Sequence, residues 1–182
     1  MLGVALGDIS GKGIPAALMS RVNQALYEAS SADRYATFFY AQFDPTSRRL
    51  TYVNGGHCAP LLFRAGTTDA AADAAAVARL GSEKIERLDE GGPVIGLIPQ
   101  CTYQQAELTL APGDLLVIFT DGVSEAMNPA LEEWGEERLI AKVRPAQGCD
   151  ACEIITHIMR AAAQFAAGAP QHDDMTLIVL RF

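Results

Sequence analysis

The sequence predicts an α+β protein whose sheets are mainly antiparallel. Helical and strand patterns are grouped along the chain and do not strictly alternate. A four-residue turn at 44–47 (DPTS) separates two stretches of strand pattern, and so short a connection joins antiparallel strands. With 182 residues, the chain is long enough to form one domain with a sizeable core.

The chain opens with an apolar strand at 2–6, followed by a glycine-rich turn and a helix. Pro15 suits the first turn of that helix, and we expect its buried face to consist of Ile14, Ala17, Leu18, Val22, Ala25, Leu26 and Ala29. Apolar periodicity then predicts strands at 37–43, 50–53, 61–63, 85–88, 106–110, 115–120 and 175–182, and helices at 136–143 and 153–166.

The stretch 67–78 is rich in alanine and contains scattered aspartates, but it has no stripe of large apolar residues. We therefore expect an exposed, flexible insertion there. Turns are expected at 54–57 (NGGH) and around the glycines at 91–96.

Composition excludes several classes of partner. The net charge of −8, without a basic patch, argues against binding to nucleic acid or to an anionic membrane surface. No apolar run reaches membrane-spanning length, and the N-terminus lacks a secretory signal pattern. These features predict a cytoplasmic protein.

Four cysteines occur, and two of them, Cys149 and Cys152, form a C-x-x-C pattern at the start of a helical stretch. A redox role would need a thioredoxin-like context, and a zinc site would need a second such pair, with His157 supplying only a third ligand. We interpret these cysteines as ordinary small side chains.

Three aspartates stand where an apolar strand meets a loop. Asp8 and Asp121 follow strands, whereas Asp173 precedes the last strand. Each alone is most simply a turn residue. Together, at one rim of the sheets, they would offer the oxygen ligands that Mg²⁺ and Mn²⁺ prefer. Histidines are few and unpaired, which disfavours a histidine-based zinc site.

Six sequence blocks occur in one order along nearly the whole chain. They are LGDISGKGIPAALMS (6–20), TYVNGGHCAPLLF (51–63), GPVIGL (92–97), LAPGDLLVIFTDGVSEAMNP (110–129), WGEERL (134–139) and HDDMTLIVL (172–180). Together they resemble the PPM metal-dependent serine/threonine phosphatases, in particular their bacterial SpoIIE-like branch.

The resemblance implies a fold and a set of ligands. The fold is an α-β-β-α sandwich of two mainly antiparallel sheets flanked by helices, with residues 1–182 forming a SpoIIE-like domain. Two Mn²⁺ or Mg²⁺ ions are implied at one end. Asp8, Asp121 and Asp173 match the catalytic metal ligands, together with the backbone carbonyl of Ile9. The neighbouring positions Gly122, Glu125 and Asp174 are candidates for supporting these ligands, and the Asn54–His57 motif matches a signature that we interpret as structural.

The implied reaction is hydrolysis of phosphoserine by a metal-activated water, without a covalent intermediate. The implied substrate is a regulatory protein of the anti-sigma-factor-antagonist type, and sensor or receiver domains often precede such phosphatases in a longer protein. No general acid can be named, since neither Ser10 nor Lys12 is compelling.

The family normally carries a Gly-Gly-Asp-x-x-Asp type motif before the strand at 2–6, and this sequence opens directly in that strand. We therefore expect an N-terminally truncated domain with a weakened second metal site and an unpaired sheet edge. An alternative function follows, namely a catalytically impaired phosphatase-like module that only binds or regulates a partner.

A nucleotide-binding site is a further alternative, because Gly11, Gly13 and Ala16 imitate the dinucleotide fingerprint. That site needs a parallel β-α-β unit, whereas the next strand runs into the hairpin at 44–47. It also leaves Asp8 unexplained. A Walker A loop fails, because Leu6 occupies the place of its first glycine and Gly13 that of its Ser/Thr.

Overall fold

The computed structural model describes residues 3–6, 14–30, 34–65 and 85–182. In chain order its elements are β1 (Gly3–Leu6), α1 (Ile14–Ala29), β2 (Phe38–Asp44), β3 (Arg49–Gly55), β4 (Leu61–Phe63), β5 (Ile85–Arg87), β6 (Gly91–Gly92), β7 (Ala106–Thr109), β8 (Leu115–Phe119), α2 (Asp121–Ser124), α3 (Gly135–Val143), a 3₁₀ turn (Arg144–Ala146), α4 (Ala151–Ala166) and β9 (Leu177–Arg181).

The chain divides into two compact units, each with its own sheet. The first unit comprises residues 1–59, 88–110 and 174–176, and the second comprises 60–87, 111–173 and 177–182. In the described residues most strand pairs are antiparallel, which confirms the predicted α+β class with two mainly antiparallel sheets.

The sheet of the first unit has the order β1-β2-β3-β6, with β7 also paired to β3. The predicted hairpin is present, because β2 and β3 pair antiparallel from Phe38↔Gly55 to Asp44↔Arg49. Asp44 fixes the turn by accepting the Thr46 N–H at 2.9 Å. The hydrogen bonds to the Asp44 carboxylate, from Ser47 first and then Thr46, hold its pKa below its usual range.

One inference about this sheet is wrong. β1 pairs parallel with β2, from Gly3↔Phe38 to Leu6↔Ala41, with α1 between them in the chain. A parallel β-α-β unit is therefore present, and the hairpin gives no reason to reject a nucleotide site. A strand can be parallel to one neighbour and antiparallel to the other, because each pairing uses a different edge of the strand.

Helix α1 has the predicted position, and its buried face agrees with the predicted one in part. Leu18, Val22 and Leu26 are partly buried and pack against the core of the first unit, as predicted. The fully buried side chains of α1 follow each other at intervals of four residues, Pro15, Met19 and Asn23, whereas three of the predicted positions, Ala17, Ala25 and Ala29, are exposed. Met19 packs in the core of the first unit with Tyr40, Val53, Ile95 and Tyr103.

Asn23 is a buried polar residue whose side-chain amide forms hydrogen bonds with two backbone groups. Its Nδ2 donates to the Ile98 carbonyl at 2.9 Å, and its Oδ1 accepts the Gly96 N–H at 2.8 Å. A purely apolar pattern search could not include it, because the side chain is buried through hydrogen bonds.

The glycines at 91–92 form a short strand, where the sequence predicts only a break. Gly91 lies so close to β3 that a Cβ atom there would stand 1.7 Å from the Asn54 carbonyl oxygen. The predicted turn at 54–57 begins later than expected, because Asn54 and Gly55 complete β3 and the chain turns at Gly56 with φ +72°.

The sheet of the second unit has the order β5-β4-β8-β9 and is antiparallel throughout its described pairs. Every residue of β8 is buried. Helix α3 packs on α4, and α4 packs on β9. The buried face of α4 contains Ile154, Ile158 and Ala162.

Helix α4 has clear start and stop signals. Asp150 is the N-cap, and its carboxylate accepts the Glu153 N–H at 2.7 Å, while the Glu153 carboxylate accepts the Asp150 N–H at 3.2 Å. The helix ends at Ala166, and its C-cap residue Ala167 has φ +48°. Cys149 and Cys152 are exposed free thiols.

Two further sequence predictions differ or lie outside the described residues. The last strand is shorter than predicted, since β9 begins at Leu177 and not at 175. The insertion predicted at 67–78 lies outside the described residues. Within the described part of the chain, none of the helices is both long and apolar enough to span a bilayer.

Candidate active site

Asp121 stands directly beyond the buried strand β8. Thr120 is buried and precedes the short helix α2, whose first residue is the exposed Asp121. The turn is held by backbone bonds from Val123 to the Thr120 carbonyl (2.9 Å) and from Glu125 to the Asp121 carbonyl (2.7 Å). The strand thus fixes the backbone of Asp121 while its carboxylate faces solvent.

The carboxylate of Asp121 is oriented by its neighbour. Its Oδ1 accepts the N–H of Gly122 at 2.9 Å, and the Ser124 hydroxyl donates to the Asp121 carbonyl at 3.1 Å. Among the described residues, no other hydrogen bond reaches this carboxylate, so Oδ2 has capacity to accept a ligand.

Asp173 precedes β9, the strand that pairs with β8. β8 and β9 are antiparallel and pair from Leu115↔Arg181 to Phe119↔Leu177. The end of β8 therefore meets the start of β9. Asp121 is two residues beyond Phe119, and Asp173 is four residues before Leu177. Both residues are exposed.

The third predicted ligand cannot be compared in the same way. Asp8 and Ile9 lie outside the described residues, and the structure describes only β1, which ends two residues before Asp8. The convergence of Asp8 with Asp121 and Asp173 stays a prediction. Within the residues that are described, no three His, Cys, Asp or Glu side chains form a group that could hold a metal ion.

The supporting candidates differ in burial. Gly122 is buried, and its N–H orients the Asp121 carboxylate. Glu125 closes α2 with its backbone N–H, but its side chain is exposed. Asp174 is exposed beside Asp173, whose carbonyl accepts a bond from Gln171 Nε2 at 2.7 Å.

The donors of Asp121 and Asp173 fit a hard divalent cation. Asp121 and Asp173 offer carboxylate oxygens, and Asp121 retains an oxygen that no described group occupies. Mg²⁺ and Mn²⁺ favour such ligands and typically keep several waters, which an exposed position allows.

The Asn54–His57 motif of the first unit has a structural explanation. The Asn54 amide donates to the carbonyls of His57 (2.9 Å) and Leu88 (3.2 Å), and its oxygen accepts the His57 N–H at 2.7 Å. Asn54 thereby closes the turn after β3 and joins it to the segment at 88.

A cleft in the second unit was not predicted from the sequence. It has a volume of about 320 Å³ and lies between two loops, 127–131 and 167–172. The first loop follows α2, and the second ends one residue before Asp173. The Asn-Pro pair at 128–129 indicates a turn, but no sequence pattern shows that the two loops face each other.

Comparison with known proteins identifies a family. The model of the family "Stage II sporulation protein E (SpoIIE)" matches residues 15–182.

Two curated relatives are similar in sequence. Protein IcfG of Synechocystis is 31% identical over 147 residues, which are 80% of this chain and 20% of that protein. The phosphoserine phosphatase RsbU of Bacillus subtilis is 26% identical over 204 residues, covering 99% of this chain and 55% of RsbU. The chain thus spans one fifth and about half of these relatives' lengths.

Solved structures show the same fold. The SiaA-PP2C domain of Pseudomonas aeruginosa matches with a TM-score of 0.71 and 22% identity, over 92% of this chain and 61% of that one. The Mn-presoaked phosphatase domain of SpoIIE from Bacillus subtilis matches with a TM-score of 0.56 and 17% identity, over 93% and 68%. The fold is therefore that of the PP2C phosphatase domains.

Proposed function

Because the chain belongs to the SpoIIE family, we propose that it is a metal-dependent phosphatase that hydrolyses phosphoserine on a regulatory protein. One observation carries this proposal. The pairing of β8 with β9 joins the end of β8, two residues before Asp121, to the start of β9, four residues after Asp173. Both aspartates are exposed, which leaves their carboxylates accessible to a protein substrate.

Each residue has a role that follows from its position. Asp121 and Asp173 would hold Mn²⁺ or Mg²⁺ together with Asp8 and the Ile9 carbonyl. The Gly122 N–H fixes the orientation of Asp121, and burial of β8 keeps the backbone of that ligand in place. When bound, a pair of such ions supplies an activated water and neutralises charge on the phosphoryl oxygens.

The substrate class is supported by the relatives. RsbU is named a phosphoserine phosphatase, and we extend that class to this chain, with a regulatory protein of the anti-sigma-factor-antagonist type as substrate. The proposal includes a cytoplasmic location and an upstream sensor or receiver domain in a longer parent protein. The greater length of both relatives supports the latter.

Hydrolysis of a phosphoserine peptide tests this function. The chain should release phosphate with Mn²⁺ and lose that activity in EDTA. Asp121→Asn should lower the rate by more than about 100-fold. Loss of a metal ligand is expected to have a larger effect than loss of a residue that only hydrogen-bonds to a ligand, which typically costs about 10- to 100-fold. Asp89→Asn removes another exposed aspartate, in the first unit, and serves as the matched control.

This experiment distinguishes a phosphatase from a phosphatase-like module that only binds a partner. Equal rates for the chain and Asp121→Asn would overturn the proposed site. Binding of the phosphopeptide without any Mn²⁺-dependent hydrolysis would favour a phosphatase-like module that binds a partner and does not turn it over.

A further inference from the structure

The cleft between loops 127–131 and 167–172 is lined mostly by apolar residues. Met127, Pro129 and Leu131 line one side, Ala167–Pro170 line the other, and Asn128 and His172 are its polar members. Its volume of about 320 Å³ is at the lower end of the range for ligand sites, which suits one or two side chains better than a large cofactor.

The loop that carries Leu131 is rigidly built. Asn128 Oδ1 accepts the N–H groups of Ala130 (2.9 Å) and Glu132 (3.0 Å), and its Nδ2 donates to Glu132 Oε2 at 2.9 Å. The Trp134 N–H closes the loop by donating to the Ala126 carbonyl at 2.8 Å. A loop fixed in this way can present a side chain at little entropic cost on binding.

The base of this loop is anchored as well. The Trp134 side chain is buried, and Arg138 Nη1 donates to the Glu133 and Trp134 carbonyls at 2.9 and 2.8 Å. The Arg138 guanidinium also lies over the Phe165 ring, 4.8 Å from its centroid.

Leu131 is unusual in two respects. It is 75% exposed, the highest value among the exposed large apolar residues of the described chain, and its φ is +63°. A leucine in the left-handed region costs about 1–2 kcal/mol relative to glycine. A fixed loop that holds a strained, exposed leucine over an apolar cleft is better explained by recognition than by stability.

Position and charge favour the phosphoprotein substrate as the occupant. Both walls are close in sequence to the proposed metal ligands, since loop 127–131 begins six residues after Asp121 and His172 directly precedes Asp173. The segment 121–133 carries four carboxylates and no Lys, Arg or His. A segment that reaches this cleft from the reacting phosphoserine therefore gains from cationic residues.

We propose that this cleft binds an apolar side chain of the phosphoprotein substrate, a few residues from its phosphoserine, in a segment that carries lysine or arginine. Leu131 and the loop 167–172 then determine which phosphoserine is hydrolysed. This inference rests on the proposed function for its substrate, but it concerns residues that hold no metal.

Synthetic phosphoserine peptides test the cleft. In a lysine-containing background, a single leucine is moved from four residues before to four residues after the phosphoserine, with an all-alanine peptide as reference. At one or more positions, leucine should raise kcat/KM by about tenfold, the effect expected of a filled apolar pocket. The wild-type rate on p-nitrophenyl phosphate reports the metal site alone.

Two variants connect the preference to the cleft. Leu131→Asn removes the apolar side chain while asparagine tolerates the positive φ, and Ala169→Phe fills the cleft. In both variants, the ratio of kcat/KM for the leucine peptide to that for the all-alanine peptide should fall to about one, and hydrolysis of p-nitrophenyl phosphate should be unchanged. Leu97→Asn alters another exposed leucine (43% exposed), in the first unit, and should retain the preference.

The peptides also test the cleft if the chain does not hydrolyse them. Fluorescence anisotropy of the same dye-labelled peptides then measures affinity, and a leucine preference that Leu131→Asn removes would support the cleft while the phosphatase proposal fails. The inference is overturned if no leucine position is preferred in rate or affinity, or if both cleft variants retain the preference.

Discussion

The two ends of β8 each carry an aspartate, and their surroundings are opposite. Asp114, before the strand, is 0% exposed and accepts three hydrogen bonds, from the N–H groups of Ala65 (2.8 Å) and Ala111 (2.9 Å) and from Arg64 Nη1 (2.9 Å). Asp121, beyond the strand, is exposed and accepts one described bond, from Gly122. A carboxylate saturated by the protein stabilises the fold, whereas one with free acceptor capacity can bind a ligand.

Asp114 belongs to a small ionic network within the second unit. Its partner Arg64 also binds Glu86, with Nε···Oε1 at 3.1 Å and Nη2···Oε2 at 3.2 Å. Burial lowers the pKa of the Arg64 guanidinium, but its bonds to Glu86 and Asp114 outweigh that effect and raise the pKa overall. The network thus joins β4, β5 and the start of β8.

The largest effect on stability is expected from Asp114→Ala. This change leaves two backbone N–H groups without their acceptor and removes the buried partner of Arg64, which is itself partly exposed and keeps its bonds to Glu86. The free energy of unfolding should therefore fall by about 3 kcal/mol, mainly through the two unpaired N–H groups. Urea unfolding followed by circular dichroism measures it. Asp121→Asn, at the other end of the strand, should stay within about 0.5 kcal/mol. Equal losses for the two variants would contradict the distinction drawn between them.

The sequence predicts the strand between these aspartates but not their difference. Both Asp114 and Asp121 stand beside a glycine at a strand end, in turn-like surroundings. Turn chemistry explains both equally well. Only the tertiary contacts of Ala65 and Arg64, about 50 residues earlier in the chain, show that Asp114 is buried.

Other features also depended on tertiary contacts. Strands β2, β3 and β8 and helices α3 and α4 follow from apolar periodicity and turn residues, because those signals are local. The parallel pairing of β1, the burial of Asn23 and the cleft beside Leu131 each depend on segments far apart in sequence. Of the predicted metal ligands, the β8–β9 register relates only the strand ends nearest to Asp121 and Asp173, and the convergence of all three aspartates stays a prediction.

The comparison of a structural with a ligand-binding carboxylate can be repeated with Asp173 and Asp174, which are adjacent and both exposed. If the first of the pair is the ligand, Asp173→Asn should lower Mn²⁺-dependent phosphate release by more than about 100-fold, whereas Asp174→Asn should lower it by less than about tenfold. Steady-state rates on one phosphoserine peptide measure both. The reverse order of effects would assign the ligand role to Asp174.

Tyr103 represents a third case, a polar group that is buried without a partner. Its side chain lies in the core of the first unit, and in the described structure its hydroxyl makes no hydrogen bond. Burial, with a smaller contribution from Cys101, raises the pKa of Tyr103 to about 12. The folded protein thus favours the neutral phenol more than the unfolded chain does.

This difference predicts a loss of stability in alkali. The contribution of the neutral Tyr103 side chain to the free energy of unfolding is complete below the ordinary pKa of about 10. It is lost as the pH rises from there through about 12. Tyr103→Phe should therefore lose less stability than the wild type between pH 10 and 12. At pH 7 the variant should be as stable as the wild type, because the substitution breaks no hydrogen bond. Thermal melts across this range measure it, and Tyr35→Phe, at an exposed tyrosine, is the control. A variant that follows the wild-type curve would refute this explanation.

Mn²⁺ binding by the chain and by Asp121→Asn, titrated by electron paramagnetic resonance, tests the assignment at the end of β8 most directly. We expect the wild type and Asp89→Asn to bind Mn²⁺ alike, and Asp121→Asn to bind it at least about tenfold more weakly. Unchanged Mn²⁺ affinity in Asp121→Asn would contradict the assignment of this carboxylate as a metal ligand.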